Sequence, residues 1–140
     1  MTKPNISAQI EIEVPFFDVD SMDIVWHGHY AKYFELARCK LLDSIDYNYT
    51  TMRQTGYAWP IIDLRIRYAH PMQFGQIVIV SAELTEWENR LGIRYRIVDK
   101  ATGKRLTRGQ TYQVAVDMHT REMCFESPDI LWQKLGLQKT

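Results

Sequence analysis

Apolar and polar residues alternate along this chain with two different periods. Ile10, Ile12 and Val14 interleave with Gln9, Glu11 and Glu13, the period-2 pattern of a strand with one buried face. Pro15 has no N–H to give a ladder, so it should end regular pairing or mark an edge. Over 29–45 the period changes. Tyr30, Tyr33, Phe34, Ala37, Leu41 and Leu42 fall at helical spacing, with Lys32, Glu35, Arg38 and Lys40 mostly off that face. This predicts a helix of about four turns, the longest in the chain. Residues 46–56 read as a turn and a short helix closed by Gly56.

Beyond Gly56 the chain reads as β. Ile62, Leu64, Ile66 and Tyr68 alternate with Asp63, Arg65 and Arg67. Residues 76–88 form a long β-branched run, and 90–99 alternate again. "DKATGKR" is a hairpin turn with Gly103 near its tip, and 106–118 form the return strand. Ser127-Pro128-Asp129 opens a short terminal helix. One strand, one long helix and four strands joined by short turns imply consecutive hairpins in an antiparallel sheet, with the helix on one face. The class is α+β. A single helix covers little of a five-stranded sheet, so the other face or an edge should meet a second subunit.

At 140 residues the chain fits one domain, 1–140. Seventeen basic and 17 acidic residues cancel, which argues against a generic nucleic-acid binder. No apolar run approaches the roughly 18 residues of a membrane span, and the N-terminus lacks the apolar core of a signal peptide. Cys39 and Cys124 imply no disulfide framework, so reduced thiols and a cytoplasmic location are expected.

The titratable groups concentrate in "FFDVDSMDIVWHGHY", residues 16–30. As a calcium loop it fails, because the sixth and twelfth positions from Asp18 are Asp23 and His29 rather than Gly and Glu. His27 and His29 would converge on a zinc ion only if the backbone stayed extended where the helical pattern begins. Neither cysteine sits in a Gly-rich turn, and no Gly-x-Ser-x-Gly elbow is present. Acid–base work remains. A carboxylate beside a helix N-terminus can attack an activated acyl group, or direct a water to it, while free N–H groups polarise the carbonyl. Equally, Asp18, Asp20 and Asp23 could be turn formers and helix caps. On spacing alone the two readings stand level.

Asp18-Val19-Asp20, Ile24-Val25-Trp26-His27, Tyr30 and Tyr33-Phe34-Glu35-Leu36-Ala37-Arg38, followed by four strands with Tyr68-x-x-Pro71, resemble the hotdog-fold thioesterases. The chain is most similar to the 4-hydroxybenzoyl-CoA thioesterase type and the Tol-Pal-associated YbgC group. The resemblance implies a hotdog fold, a five-stranded antiparallel sheet wrapped around one long helix. It implies an acyl-CoA or acyl-carrier-protein thioesterase with no metal or redox cofactor, coenzyme A being part of the substrate. Asp20 matches the catalytic carboxylate. The His27 N–H matches the oxyanion donor and its ring a polar helper. Asp23, Trp26 and Tyr30 would border the substrate. Arg65 and Arg94 are candidates for the coenzyme A phosphates, though a strand arginine taken singly also reads as a solvated face. The family pairs edge to edge, so a homodimer or homotetramer with sites at the interface is expected. Two positions depart from the pattern: Phe16 stands where many relatives carry a Tyr hydroxyl, and Asp23 where they usually carry Gly.

Overall fold

The computed structural model describes residues 5–139. The N-terminal segment read for a signal peptide begins at residues 1–4, outside that range. β1 (Ser7–Glu13) leads through a 3-10 turn at Phe16–Asp18 and a second at His27–His29 into α1 (Tyr30–Ser44). Then follow α2 (Tyr49–Gln54), β2 (Tyr57–Ala58), β3 (Ile61–Tyr68), β4 (Ile77–Glu86), β5 (Leu91–Asp99), β6 (Arg105–Gln113), β7 (Val116–Asp117) and α3 (Asp129–Lys134).

The five long strands form one antiparallel sheet in the order β1-β4-β5-β6-β3, and β2 pairs with β7 apart from it. β4-β5 and β5-β6 are the hairpins the alternation predicts. β3 and β4 are not a hairpin: β3 pairs with β6 at the far edge. The reason lies in residues 69–76, whose backbone is engaged elsewhere. The Met72 carbonyl accepts the Val25 N–H at 2.8 Å, and Gln73 bridges to Ile24. The return strand is shorter than expected, β6 ending at Gln113.

α1 packs against the inward rows of the sheet, among them Val80, Ala82, Tyr95 and Ile97, all fully buried. The Phe34 ring stacks on Tyr95 at 4.5 Å between centroids. Gly109 makes this possible, since a Cβ there would lie 2.3 Å from the Phe34 ring. The helix face differs from the expected one at Arg38, which is 3% exposed. Polarity set it off the face, yet its position next to Ala37 and one turn after Phe34 puts it on the buried stripe. Its Nε donates to the Tyr49 hydroxyl at 2.8 Å and its Nη1 to the Tyr95 hydroxyl at 3.3 Å, so the buried guanidinium keeps hydrogen-bond partners.

Candidate active site

The segment between β1 and α1 folds into a small hairpin. Val19 bridges Val25, the Asp20 N–H donates to the Ile24 carbonyl at 2.8 Å, and the Trp26 N–H donates to the Asp18 carbonyl at 3.0 Å. The turn is closed by the Asp23 N–H donating to the Asp20 carbonyl at 3.0 Å. Asp23 then takes φ 62°, the left-handed conformation of a hairpin bulge position. This position ordinarily suits Gly, and Asp is among the few L-residues that visit it.

Asp20 sits exposed at the start of this turn. Its Oδ1 accepts the Met22 N–H at 2.8 Å, which fixes the carboxylate without burying it. Asp18, two residues back, is 2% exposed and anchors the hairpin to α1. It accepts hydrogen bonds from Lys32 Nζ at 2.7 Å and from the Tyr33 hydroxyl at 2.8 Å. Burial alone would raise the Asp18 carboxyl. The hydrogen bonds from Lys32 and Tyr33 and the Lys32 charge outweigh it and hold the group below its usual range. The Tyr33 hydroxyl moves the other way, raised by burial and by its bond to Asp18.

Across the hairpin the chain turns into the helix. The 3-10 turn His27–His29 runs directly into α1, with the His29 N–H donating to the Trp26 carbonyl at 2.9 Å. Among the described residues the N–H groups of His27 and Gly28 meet no acceptor. They are the free donors at a helix start, where the macrodipole favours negative charge. The Tyr68 hydroxyl donates to the His27 carbonyl at 2.8 Å and pins the turn to the end of β3. The Trp26 ring lies over Gly28, where a Cβ would stand 2.2 Å from it, and contacts the rings of His27 at 5.1 Å and His29 at 5.3 Å.

The hairpin therefore brings Asp20, Asp23, Trp26 and His27 into one exposed loop and helix start. Tyr30 lies deeper, 2% exposed, with its ring edge-on to Tyr68 at 4.7 Å and its hydroxyl raised by burial. Arg65 and Arg94 are not brought to that loop. They project from β3 and β5 on the face of the sheet turned away from α1, and Arg94 pairs with Glu83. Lys32 reads from the sequence only as a surface charge, and Tyr33 and Tyr68 as apolar positions and members of the family pattern with no role assigned. Their long-range partners leave no local signal. Among the described residues no group of three or more His, Cys, Asp or Glu side chains could hold a metal ion.

Comparison with known proteins agrees with this architecture. The Bacillus subtilis protein YneP, whose assignment as an acyl-CoA thioesterase is provisional, is 30% identical over 77 residues, 55% of this chain and 56% of YneP. The matched region thus spans little more than half of that relative. The crystal structure of Slr0204, a 1,4-dihydroxy-2-naphthoyl-CoA thioesterase from Synechocystis, superposes with a TM-score of 0.82 at 20% identity, covering 93% of this chain and 96% of that one. The DHNA-CoA thioesterase from Staphylococcus aureus superposes with a TM-score of 0.78 at 26% identity, covering 86% and 80%. These likenesses establish the hotdog fold without singling out the 4-hydroxybenzoyl-CoA or YbgC branch. The model of the thioesterase-like superfamily matches residues 14–134, and the chain belongs to that superfamily.

Proposed function

We propose that the chain hydrolyses acyl thioesters of coenzyme A or an acyl-carrier protein, with Asp20 and His27 as its catalytic pair. The observation that carries this reading is the hairpin itself. It sets an exposed carboxylate on one arm and, just past the other, two N–H groups with no acceptor. The thioester carbonyl would accept from the His27 N–H, which stabilises the oxyanion as it forms. Asp20 would attack the carbonyl carbon or draw a proton from an attacking water. The C–S bond then breaks and the sulfur takes up a proton with help from the His27 ring. The acid leaves directly where water attacked, or after water hydrolyses the acyl anhydride on Asp20 where the carboxylate attacked. Thiolate is a good leaving group, so the scheme calls on no cofactor. Asp23 and Trp26 would border the thioester, and Tyr30 would support that wall from behind.

A second copy of the chain would complete the site. Leu64 and Tyr68 of β3 belong to the side of the sheet that faces α1, yet they are 43 and 47% exposed. An apolar edge strand of this kind favours edge-to-edge pairing in a homodimer, with a homotetramer as a further step. No helix among the described residues is long and apolar enough to cross a membrane, and Cys39 and Cys124 are unpaired, which accords with a cytoplasmic enzyme. Phe16, 70% exposed and without the hydroxyl of many relatives, favours one rival reading, a hotdog that binds acyl ligands without cleaving them. A panel of acyl-CoAs assayed by free-thiol release decides between them. Turnover of any member supports hydrolysis, and binding without thiol release supports the rival.

A further inference from the structure

The outward face of the sheet carries an arginine row that the hydrolytic scheme does not use. Arg67, Arg108 and Arg96 stand side by side on three neighbouring strands, Arg108 opposite Arg67 in β3 and opposite Arg96 in β5. With Arg94 and Arg105 they line a depression of about 420 Å³. A second depression of about 310 Å³ shares Arg67, Arg94 and Arg108 with it and extends to Arg65. Arg94 is neutralised by Glu83. Among the described residues Arg67, Arg96, Arg105 and Arg108 have no carboxylate within salt-bridge distance, and neither depression has an acidic residue in its lining. Like charges directly opposite one another destabilise a sheet. In a chain with zero formal net charge this concentration is local, with carboxylates gathered on β1 and β4 instead.

We propose that this face docks an acidic protein, the carrier of a phosphopantetheine thioester, and so assigns the chain a carrier-bound substrate. The inference rests on the thioesterase reading for the fate of the substrate but not for the docking itself. Three observations favour a protein over a nucleotide or a nucleic acid. First, the lining holds no aromatic ring on which a base could stack. Second, the spacing fits a helix: neighbouring strands lie ~4.8 Å apart, and carboxylates at i, i+4 on a helix lie ~5–6 Å apart. Acidic side chains one turn apart would therefore meet successive arginines of the row. Third, Arg67 immediately precedes Tyr68, whose hydroxyl holds the His27 carbonyl. Arg67 and Tyr68 project to opposite faces, so a partner seated on the row lies across the β3 edge from the His27 turn, and its flexible arm would have to pass round that edge to reach Asp20.

The test pairs charge reversal with three substrates bearing one acyl group: acyl-carrier protein, acyl-CoA and acyl-pantetheine. In Arg96→Glu/Arg108→Glu the expected result is a fall of at least tenfold in kcat/KM for the acyl-carrier protein. The other two should stay within twofold of wild type. The milder Arg96→Gln/Arg108→Gln should show a smaller loss of the same kind and guards against misfolding. Binding of the purified carrier protein, measured by calorimetry on the full chain, should weaken in parallel and needs no turnover. An equal loss with acyl-CoA would give the row to nucleotide phosphates and overturn the proposal. So would carrier binding that ignores the substitutions, or a single-stranded RNA that binds the row more tightly than the carrier. Absence of turnover with all three substrates, with carrier binding and its loss on charge reversal intact, would reject the hydrolytic reading alone.

Discussion

The Lys32 ammonium lies 2.7 Å from the Asp18 carboxylate, which is 2% exposed, while the Lys32 side chain remains 47% exposed. The pair is asymmetric, and its two halves should fail differently. Asp18→Asn leaves a lysine that solvent can hydrate, and should cost about 1–2 kcal/mol of stability. Lys32→Met leaves a buried carboxylate with only Tyr33 as partner, and should cost about 3 kcal/mol. Denaturant titration of both variants checks the order. The larger loss falling on Asp18→Asn would contradict the asymmetry.

The same clamp should respond to pH. Because the folded Asp18 carboxyl sits below its ordinary value of 3.8, folding favours the ionised form. Its contribution is complete above the unfolded value and disappears as pH falls through the folded one. The stability gap between wild type and Asp18→Asn should therefore be constant above about pH 5 and shrink in stronger acid. A gap that widens on acidification would reverse the assignment.

Asp23 occupies the left-handed region at φ 62°. Asp23→Gly should leave stability within about 0.5 kcal/mol of wild type, relief of strain offsetting the added freedom of the unfolded chain. Asp23→Val should cost about 1–2 kcal/mol, because a β-branched side chain resists this conformation. Thermal unfolding of the two variants measures the difference.

Tyr68 holds the turn that presents the free N–H groups. Tyr68→Phe removes one hydrogen bond, worth about 1 kcal/mol. Its mark on hydrolysis should be a lower kcat with little change in KM, since the hydroxyl positions a donor rather than the substrate. A rise in KM alone would place Tyr68 against substrate instead.

Leu64 is 43% exposed on the edge strand. Leu64→Glu should turn a dimeric or larger species into monomer in sedimentation equilibrium and abolish hydrolysis together with assembly. A variant that keeps the wild-type mass would remove β3 from the interface.

Much of the fold was legible because burial imposes period. β1, α1 and β5 announce themselves through alternation or helical spacing. The hairpin tip at 99–105 announces itself through Gly103, which takes φ 73°. What stayed hidden depends on partners distant in sequence. Arg38 has the polarity of a surface residue and the position of a core residue, and only the Tyr49 and Tyr95 hydroxyls reconcile the two. The β3–β4 crossover escaped notice because nothing local to 69–76 says that its backbone will bond Val25. At the candidate site, the density of carboxylates and histidines in 16–30 marks the segment that folds into the hairpin ahead of α1. The division of labour within it, Asp18 buried and Asp20 exposed, became visible only when Lys32 and Tyr33 were brought against Asp18. The arginine row needed strand register, which no single strand records.

Asp20 is the carboxylate proposed to cleave the thioester. The most direct measurement is steady-state thiol release by Asp20→Asn on the best substrate of the wild-type chain. The substitution keeps the side-chain shape and the Met22 N–H bond while removing the charge. A fall in kcat of at least about 100-fold, with an unchanged unfolding midpoint, is predicted. Hydrolysis near the wild-type rate would contradict it.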